Sequence, residues 1–497
     1  MNNFSYIKKE NKLKQWFRYH LIERKLNSFP GILLIIVIAL VSGYLTQAID
    51  YRAGIGLAMI FAVIFLVMIF IRYPYFGLYF LIAYSSLPAT LDRLFLQSSL
   101  SIKFNNITDL LCILLFISVI VNADKPKHES KKFWKNPIAV TFYILFAFYF
   151  LEALNPNMHS LLGWVSFLRN NLLDFLVFYC LYRLLNSWEK VRYFIFFNIV
   201  LITLLAVYAC KQQWLGVADF ENTWASRPRT FALLFQGGML RKWSTLSDPA
   251  TSGVLFASVA VQCIILWLRL PSTKLRWFLA LALFFNVMGY VYSGTRTATL
   301  MIVGGIAFYS LATIYEKRTM IFMTIAVSVF LFLLFGPYSP PSITRIRTSF
   351  QGDKDMSAKI RDINRHRIQP YLYQHPMGGG IFTCGAEGPK YNPGHYLETF
   401  PPDSGYTKIF AEQGMIGLAI LLVTYSMIVI QGLKNFYRSK NPELMAHCIA
   451  FMSLLFSLYL GQYSQLAIGA KPEIYYYLGA FVFLIKLPEF DNHQITS

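Results

Sequence analysis

The chain has 497 residues, of which 56% are hydrophobic, 17% are aromatic and only 14% are charged. Charged residues make up about a quarter of a typical soluble domain, so this composition excludes a soluble globular protein and favours a membrane protein. The formal net charge of +20 points to nucleic acid at first sight. The positions of the charges argue against that partner, as described below.

Apolar stretches of helix length recur along the chain. A bilayer core needs about 20 apolar residues per helical span, and about fourteen stretches meet that requirement. They are centred near residues 39, 63, 81, 114, 146, 177, 201, 260, 285, 306, 328, 420, 454 and 480. Strand alternation is absent, which excludes a closed barrel. The predicted fold class is an all-α polytopic membrane protein with about 12–14 transmembrane helices and one large, partly helical extracytoplasmic loop.

Lysine and arginine cluster in every second connection between these stretches. Short cytoplasmic loops carry such clusters, so both termini are predicted to lie in the cytoplasm. The clusters lie at 8–25, 72, 125–135, 183–192, 269–276, 317–318 and 434–440. The predicted organisation is a cytosolic basic tail at 1–29, spans 1–11 at 30–336 with an outer loop at 211–250, a large outer loop at 337–406, spans 12–14 at 407–487 and a cytosolic tail at 488–497. The six cysteines are scattered without a CxxC pair, which argues against a disulfide framework or a zinc site.

Arg296, in VYSGTRTATLMIVGG, stands between two apolar runs with almost no loop to hold it. An arginine near the hydrocarbon boundary snorkels, pairs or binds a ligand, because its burial there costs free energy. Its fork of donors suits a phosphate better than an ammonium does. A snorkelling turn residue and a phosphate ligand are both open interpretations.

The outer loop at 211–250 holds further cations and a helix start. In SRPRTFALLFQGGMLRKWSTLSDPATSG, solvated or ligand-binding roles are open for the cations Arg227, Arg229, Arg241 and Lys242. Asp248 followed by Pro249 fits a helix N-cap with proline at the first helical position. A structural role is therefore favoured for Asp248.

The large loop is predicted to contain a short helix in SAKIRDINRHRIQPYLYQHPMGGGIFTCG. Its apolar positions fall on one helical face, at Ile360, Ile363, Ile368 and Leu372. The same helix carries the cations Arg361, Arg365 and Arg367. The three glycines at 378–380 predict either a plain turn or a close approach of the backbone to another surface.

The loop returns to the membrane through PPDSGYTKIFAEQGMIGL. Asp403 or Ser404 can cap the helix that follows, and Asp403 can alternatively serve as a general base. Lys408 and Glu412 are four residues apart and can pair. His395 and His375 are alternative bases, although a lone histidine is more often structural.

The order of these parts resembles the O-antigen ligase and O-antigen polymerase superfamily of bacterial membrane glycosyltransferases. The matching pieces are RKWSTLSDPATSG, SGTRTA at the start of a span, HPMGGG within a large outer loop, and GYTKIFAEQGMIGL returning to the membrane. Together they lie between residues 225 and 435.

This resemblance implies an inverting transfer, without metal or cofactor, from a polyprenyl-diphosphate-linked glycan on the periplasmic side of the inner membrane. The family's arginines that bind the donor diphosphate correspond to Arg241 and Arg296, with Arg361 as a weaker third. The family commonly has a histidine before the returning span, where this chain reads Pro-Asp-Ser at 402–404. Asp403 is therefore expected to be the catalytic base, with His395 as the alternative.

The main predicted function is a ligase that attaches the glycan to an outer-leaflet lipid or glycolipid acceptor such as lipid A–core. A polymerase that joins lipid-linked repeat units is an alternative with the same chemistry. A flippase or exporter is an alternative from another class. An exporter predicts charged residues inside several spans, whereas these spans contain few charged residues and the charges lie at their boundaries.

Overall fold

The computed structural model of the protein describes residues 29–48, 63–95, 103–122, 135–236, 238–337, 344, 347 and 356–495. The predictions for the N-terminal tail up to residue 28, for the basic cluster at 125–132 and for most of 338–355 fall outside these residues. Within them the chain is almost entirely α-helical, and the predicted all-α polytopic fold class is confirmed.

The first half of the chain forms ten helices in the described residues, α1 Phe29–Ala48, α2 Val63–Arg72, α3 Pro74–Tyr84, α4 Pro88–Leu94, α5 Asn105–Val121, α6 Pro137–Leu151, α7 Leu161–Leu184, α8 Trp188–Trp214, α9 Asp219–Ala225 and α10 Pro228–Leu234. A short antiparallel hairpin follows, β1 Phe235–Gln236 and β2 Met239–Leu240. The remaining helices are α11 Pro249–Arg269, α12 Thr273–Ser293, α13 Arg296–Ala312, α14 Lys317–Phe335, α15 Met356–Gln374, α16 Gly388–Tyr391, α17 Gly405–Arg438, α18 Pro442–Gly461 and α19 Glu473–Ile495.

Eight helices within the described ranges are long and apolar enough to cross a membrane, namely α6, α7, α8, α11, α12, α14, α17 and α18. Shorter apolar helices are α2, α3, α5 and α13. The centres of all the predicted apolar stretches fall within a helix or at its first residue, because a run of apolar residues satisfies its backbone groups in lipid only by forming one.

The chain divides into two compact units. The first comprises residues 1–82 and 107–128, and the second comprises 83–106 and 129–497. In the first unit the buried Phe70 ring makes edge contacts with Phe76 and Phe80. The side-chain amide of Asn122 donates to the carbonyl of Ile71, which joins α5 to the end of α2.

The second unit is built around α11 and α18, most of whose side chains are buried. Helix α11 packs against α12, α13 and α18, while α8 packs on α12. Around this centre α6 packs against α17, and α7 packs against α19. Helix α14 is almost entirely exposed, as expected for a span that faces lipid.

Helix α15 forms where it was expected, and the apolar residues of its predicted face differ in burial. Ile360 and Ile363 are 51% and 65% exposed, whereas Ile368 and Leu372 are buried. The apolar cluster beneath the helix covers only its C-terminal half. The predicted tail at 488–497 is part of α19 up to Ile495, and the Asp491 carboxylate there accepts hydrogen bonds from the turn at 439–441.

Candidate functional site

The connection between α12 and α13, called here the arginine turn (residues 293–296), brings together two predicted phosphate ligands. Helix α12 ends at Ser293, Gly294 adopts a left-handed φ of 60°, and α13 begins at Arg296. The Arg241 guanidinium donates through Nε to the Ser293 carbonyl at 2.9 Å and through Nη2 to Thr295 Oγ1 at 3.2 Å. Arg241 and Arg296 therefore lie at the same turn, although the helices α11 and α12 separate them in sequence.

The arginine turn is held tightly against the start of α11. Thr295 Oγ1 donates to the carbonyl of Pro249 at 2.9 Å. Gly253 allows this approach, because a Cβ there would lie 2.4 Å from Ser293 Oγ and 2.6 Å from the Thr295 side chain. The N-terminus of α13 adds the partial positive charge of its unpaired N–H groups beside both arginines. This position therefore suits an anionic group.

Asp248 and Lys242 have structural roles near the arginine turn. Asp248 is the N-cap of α11, with its carboxylate accepting from the backbone N–H groups of Ala250 at 2.8 Å and Thr251 at 2.9 Å. Lys242 is 8% exposed, and burial lowers the pKa of its ammonium group. Its backbone N–H donates to the carbonyl of Tyr292. The favoured structural interpretation of Asp248 matches this geometry.

A second turn, at residues 462–465 between α18 and α19, was missed by the sequence reasoning. Ser464 Oγ lies 2.8 Å from Oγ1 of Thr297, the residue after Arg296. The Gln462 carbonyl accepts from Ser404 Oγ at 3.0 Å and from the Gly405 backbone at 2.9 Å. This turn, called the bridging turn, therefore joins the start of α13 to the start of α17. The sequence QYSQ is short and polar between two apolar runs, which is the only signal that marks it.

Asp403 lies at the start of α17, beside the bridging turn. The N-cap of α17 is Ser404, whose hydroxyl accepts from the Thr407 N–H, so Asp403 does not cap the helix. The Asp403 carboxylate accepts a long hydrogen bond of 3.4 Å from the Asn364 amide of α15, and Asp403 is partly exposed. The capping role therefore falls to Ser404, and the Asp403 carboxylate is left accessible for chemistry.

Helix α15 carries two arginines close to the bridging turn and Asp403. Arg365 donates to the Tyr463 hydroxyl at 2.8 Å and to its carbonyl at 3.1 Å, and its guanidinium lies 4.4 Å from the Tyr463 ring centre. Arg361 lies on α15 one turn before Asn364 and Arg365, and it is partly exposed. The third predicted phosphate ligand thus lies one helical turn before the residues of α15 that contact Asp403 and the bridging turn.

His395 lies in a different environment. It is 7% exposed, its Nδ1 accepts from the Leu397 N–H at 3.1 Å, and its Nε2 lies 3.4 Å from the Tyr371 hydroxyl. Burial lowers the pKa of the His395 imidazole, and the neighbouring His159 lowers it further. At about 1.5 Å per helical residue, Asn364 and Tyr371 lie about 10 Å apart along α15. The contacts of Asp403 and His395 with this helix are therefore well separated.

The HPMGGG segment forms backbone hydrogen bonds with α17 at the point where this helix is interrupted. Gly414 has a left-handed φ of 66°, which interrupts the helix. The Gly379 and Gly380 N–H groups donate to the carbonyls of Ala411 and Glu412, both at 2.8 Å. Met415 N–H donates back to the carbonyl at position 376 at 2.9 Å. Of the two interpretations of the glycines, the structure shows the close approach of the backbone.

The turn at 152–160 between α6 and α7 holds the same segment from the other side and was also missed. The Asn155 amide donates to the Met377 carbonyl at 2.9 Å, and the Asn157 amide donates to the Gly378 carbonyl at 2.8 Å. Asn392 accepts from two N–H groups of this turn, at positions 159 and 160. The sequence Asn-Pro-Asn is typical of a turn, but it does not reveal this long-range contact.

Glu412 and Lys408, the predicted ion pair, contact different groups. Glu412 is 2% exposed and accepts from the Cys384 thiol at 3.2 Å, whereas the Lys408 ammonium lies 5.5 Å from the Phe382 ring centre. Burial raises the pKa of the Cys384 thiol well above its ordinary value, so this thiol is a packing group and not a nucleophile. Within the described ranges, no three histidine, cysteine, aspartate or glutamate side chains are grouped so that they could hold a metal ion.

An open apolar groove of about 840 Å³ runs along α11, α12, α13 and α14. Tyr290 and Val291 line it in the last turn of α12, and Thr299 lines it in the first turn of α13. The groove therefore reaches within one helical turn of Arg296. Its lining is almost entirely hydrocarbon, which suits a lipid chain.

These features define a polytopic α-helical membrane protein with a cationic turn, an accessible carboxylate and an apolar groove gathered at one end of its second unit. Residues 281–422 match the family described as O-Antigen ligase. This part of the chain is therefore similar to the superfamily of bacterial membrane glycosyltransferase-like enzymes that contains the O-antigen ligases and polymerases, and the resemblance seen in its motifs is confirmed. No curated protein matches the chain significantly.

The family match covers four of the five predicted site residues. Arg296, Arg361, His395 and Asp403 lie inside it, whereas Arg241 lies before its first residue. The assignment of Arg241 therefore depends on its two hydrogen bonds with the arginine turn.

Proposed function

We propose that the protein transfers a glycan from a polyprenyl diphosphate to a hydroxyl of a membrane glycolipid, as an O-antigen ligase does. The observation that supports this proposal is the bridging turn, which joins the arginine turn to the start of α17 through Ser464 and Gln462. A leaving diphosphate and an attacking hydroxyl must be held on opposite sides of one sugar carbon. This arrangement offers cations for the first and a carboxylate for the second.

Arg241 and Arg296 bind the diphosphate of the donor in this proposal, and Arg361 closes over it from α15. Guanidinium groups suit this task, because they form paired hydrogen bonds with phosphate oxygens and stay charged. The polyprenyl chain lies in the apolar groove that ends one turn from Arg296. The positive N-terminus of α13 further stabilises the charge that develops on the diphosphate as it leaves.

Asp403 acts as the general base. Its carboxylate accepts the proton of the acceptor hydroxyl while the hydroxyl oxygen bonds to the anomeric carbon of the donor sugar. The bond from that carbon to the phosphate oxygen breaks, and the polyprenyl diphosphate leaves with the electron pair. Attack from the side opposite the leaving group inverts the anomeric configuration. Asn364, which donates to Asp403, orients the carboxylate.

The proposal is tested with purified protein in proteoliposomes that contain a polyprenyl-diphosphate-linked glycan and a glycolipid acceptor. The wild-type protein should form the glycosylated acceptor, and Arg296→Ala should lower the rate about 100-fold to 1000-fold, as removal of a transition-state donor does. Arg318→Ala is a matched control, because Arg318 is an exposed arginine in the first turn of the next helix. Full transfer activity in Arg296→Ala would contradict the diphosphate assignment.

The same assay addresses the alternatives. A polymerase would extend a second lipid-linked repeat unit and leave the glycolipid acceptor unchanged, whereas an exporter would form no new glycosidic bond. Deletion of the gene in the native host separates the first two in cells. Loss of a ligase leaves long polymer on the lipid carrier, and loss of a polymerase leaves single units there.

A further inference from the structure

Three aromatic rings form a stack on the large loop. The Tyr371 ring is nearly parallel to the His375 ring, with centroids 4.1 Å apart and an interplanar angle of 15°. It is also nearly parallel to the Tyr396 ring, with centroids 5.0 Å apart and an angle of 12°. Tyr371 is thus in contact with both rings, and we call these three residues the aromatic stack.

The aromatic stack is both fixed and accessible. Tyr371 packs against the buried cluster that includes Ile368, Leu372 and Leu397. Tyr396 is 62% exposed, so the face of its ring that is turned away from Tyr371 is open to solvent. A flat, rigid aromatic surface of this kind loses little conformational entropy when a ligand covers it.

The surroundings of the stack suit a saccharide better than a purely apolar ligand. The apolar face of a pyranose ring packs its C–H bonds against an aromatic ring, and its hydroxyl groups need polar partners at the edge. The His159 side chain is exposed and its ring lies 5.0 Å from that of His395. His395 in turn places its Nε2 3.4 Å from the Tyr371 hydroxyl. Glu398 follows Tyr396 by two residues, and its carboxylate accepts from the Gly394 N–H at 2.7 Å. His159 and Glu398 thus offer polar groups on the segments that contact or carry the stack.

Helix α15 connects the stack to the proposed reaction centre. Asn364, which contacts Asp403, and Tyr371 lie about 10 Å apart along the helix axis. This separation is close to the length of a disaccharide. In an inverting transfer the acceptor hydroxyl lies on the side of the sugar carbon opposite the diphosphate, so the rest of the acceptor extends away from the arginine turn. Arg361, which is on the diphosphate side in the proposed function, lies one turn before Asn364 on α15, so the opposite direction along the helix leads to Tyr371.

We propose that the aromatic stack is a binding site for the sugars of the acceptor glycan, next to the sugar that carries the attacking hydroxyl. The inference rests on the proposed function, because the direction of the acceptor follows from the transfer reaction. Tyr396 stacks on a pyranose ring, and the His159 and Glu398 side chains bind its hydroxyl groups. Affinity for the acceptor then depends on its sugar length, while the chemistry at Asp403 does not.

Kinetics with two acceptors test the site. Tyr396→Ala should raise the KM for an acceptor bearing an oligosaccharide about threefold to tenfold, as expected for loss of one stacking contact. Its kcat should not change, and neither should the KM for an acceptor cut back to a single sugar. Tyr373→Ala is the matched control, because Tyr373 is a 73% exposed tyrosine that lies two residues after Tyr371 on α15 and is not part of the aromatic stack. Equal effects of the two substitutions, or a KM that depends on the glycan length of the donor instead, would overturn the acceptor assignment.

A binding experiment separates failure of this site from failure of the proposed function. Saturation-transfer NMR is recorded on the whole protein in nanodiscs without donor. The added ligand is the lipid-free core oligosaccharide that mild acid releases from the glycolipid of the native host. The wild-type and Tyr373→Ala proteins should show transfer to this oligosaccharide, and Tyr396→Ala should not. Saccharide binding in a protein without transferase activity would refute the proposed function and retain the site. Transferase activity without saccharide binding would refute the site alone.

Discussion

The middle and the C-terminal end of α15 contact the two candidate bases in contrasting ways. At the middle of α15 the Asp403 carboxylate is partly exposed and receives a 3.4 Å hydrogen bond from Asn364, while its neighbour Ser404 caps α17. At the C-terminal end of α15, His395 is 7% exposed, and both of its ring nitrogens lie against groups of the protein. A base whose polar atoms are occupied within the fold has little capacity left for a substrate. We therefore propose Asp403 as the base and a structural role for His395.

The largest expected effect is that of Asp403→Asn. This change keeps the size of the side chain and its contact with Asn364 but removes the basic group. Transfer should fall about 100-fold to 10,000-fold in kcat, which is the usual contribution of a general base. The measurement is the rate of transfer in proteoliposomes at saturating donor and acceptor.

His395→Gln is the counterpart of Asp403→Asn at the second candidate base. It should leave kcat within a few-fold of the wild type once the fraction of folded protein is taken into account by size-exclusion chromatography. The reverse outcome, with the loss in His395→Gln and little change in Asp403→Asn, would exchange the roles of the two residues.

The next largest effect is expected at the HPMGGG segment. Gly378 has a φ of +76°, and a Cβ there would lie 2.5 Å from the Gly414 nitrogen. Gly378→Ala should therefore cost about 3 kcal/mol from backbone strain and the clash, and should detach the segment from α17. Hydrogen exchange should increase at 376–380 and at 411–415, and transfer should fall with it.

Gly394→Ala is the matched control for that substitution. Gly394 has a nearly equal φ of +78° but no atom within 4 Å of the added Cβ. Gly394→Ala should lower the free energy of unfolding only by the backbone strain, about 1–2 kcal/mol, and should leave hydrogen exchange at 411–415 unchanged. Similar exchange in the two variants would show that the break in α17 does not depend on the glycine contact.

Ser404→Ala should have a smaller effect on stability. Loss of an N-cap hydroxyl costs about 1 kcal/mol, and this substitution also removes the bond to the Gln462 carbonyl. Thermal unfolding in detergent should therefore shift to lower temperature, and Ser404→Asn should restore most of the loss. Asp403→Ala should destabilise less than Ser404→Ala does. A larger shift for Asp403→Ala would indicate that Asp403, not Ser404, supports the helix.

The smallest expected effect concerns pH. The His395 pKa is lowered in the folded protein, so the unfolded chain binds more protons between the folded pKa and the ordinary value of about 6.5. The contribution of His395 to stability is therefore complete above about pH 6.5 and is lost as the pH falls through the lowered pKa. Hydrogen exchange at 395–400 should rise on acidification, and His395→Gln should weaken that dependence. Two other histidines, His159 and His375, face the His395 ring.

The sequence was sufficient for the elements and for singling out part of the candidate site. Apolar runs determine helices in a membrane, because no other local structure pairs the backbone there. Arg296 stood out because an arginine between two such runs costs free energy unless it snorkels, pairs or binds a ligand. Arg241 was singled out through a motif, and two of its hydrogen bonds place it at the arginine turn.

The remaining contacts depend on tertiary packing that local patterns do not encode. The bridging turn joins α13 to α17 through residues far apart in sequence, and nothing in QYSQ specifies those partners. Ile360 fits the apolar face of α15 by spacing, yet the core beneath the helix ends before reaching it. The choice between Asp403 and Ser404 as N-cap depended on one residue of register, which spacing alone does not resolve.

The break at Gly414 affects how much variation in length the loop can accept. The segment at 376–380 supplies hydrogen-bond partners for the backbone groups of residues 411, 412 and 415. The interrupted helix α17 therefore depends on this segment for its backbone pairing. Insertions and deletions should therefore accumulate before α15 among relatives of this protein, and the spacing from the HPMGGG segment to Gly414 should vary much less. For the same reason, a chain cut between α14 and α15 keeps the segment and its helix on one fragment. A cut between Cys384 and Pro401 would leave each of them incomplete.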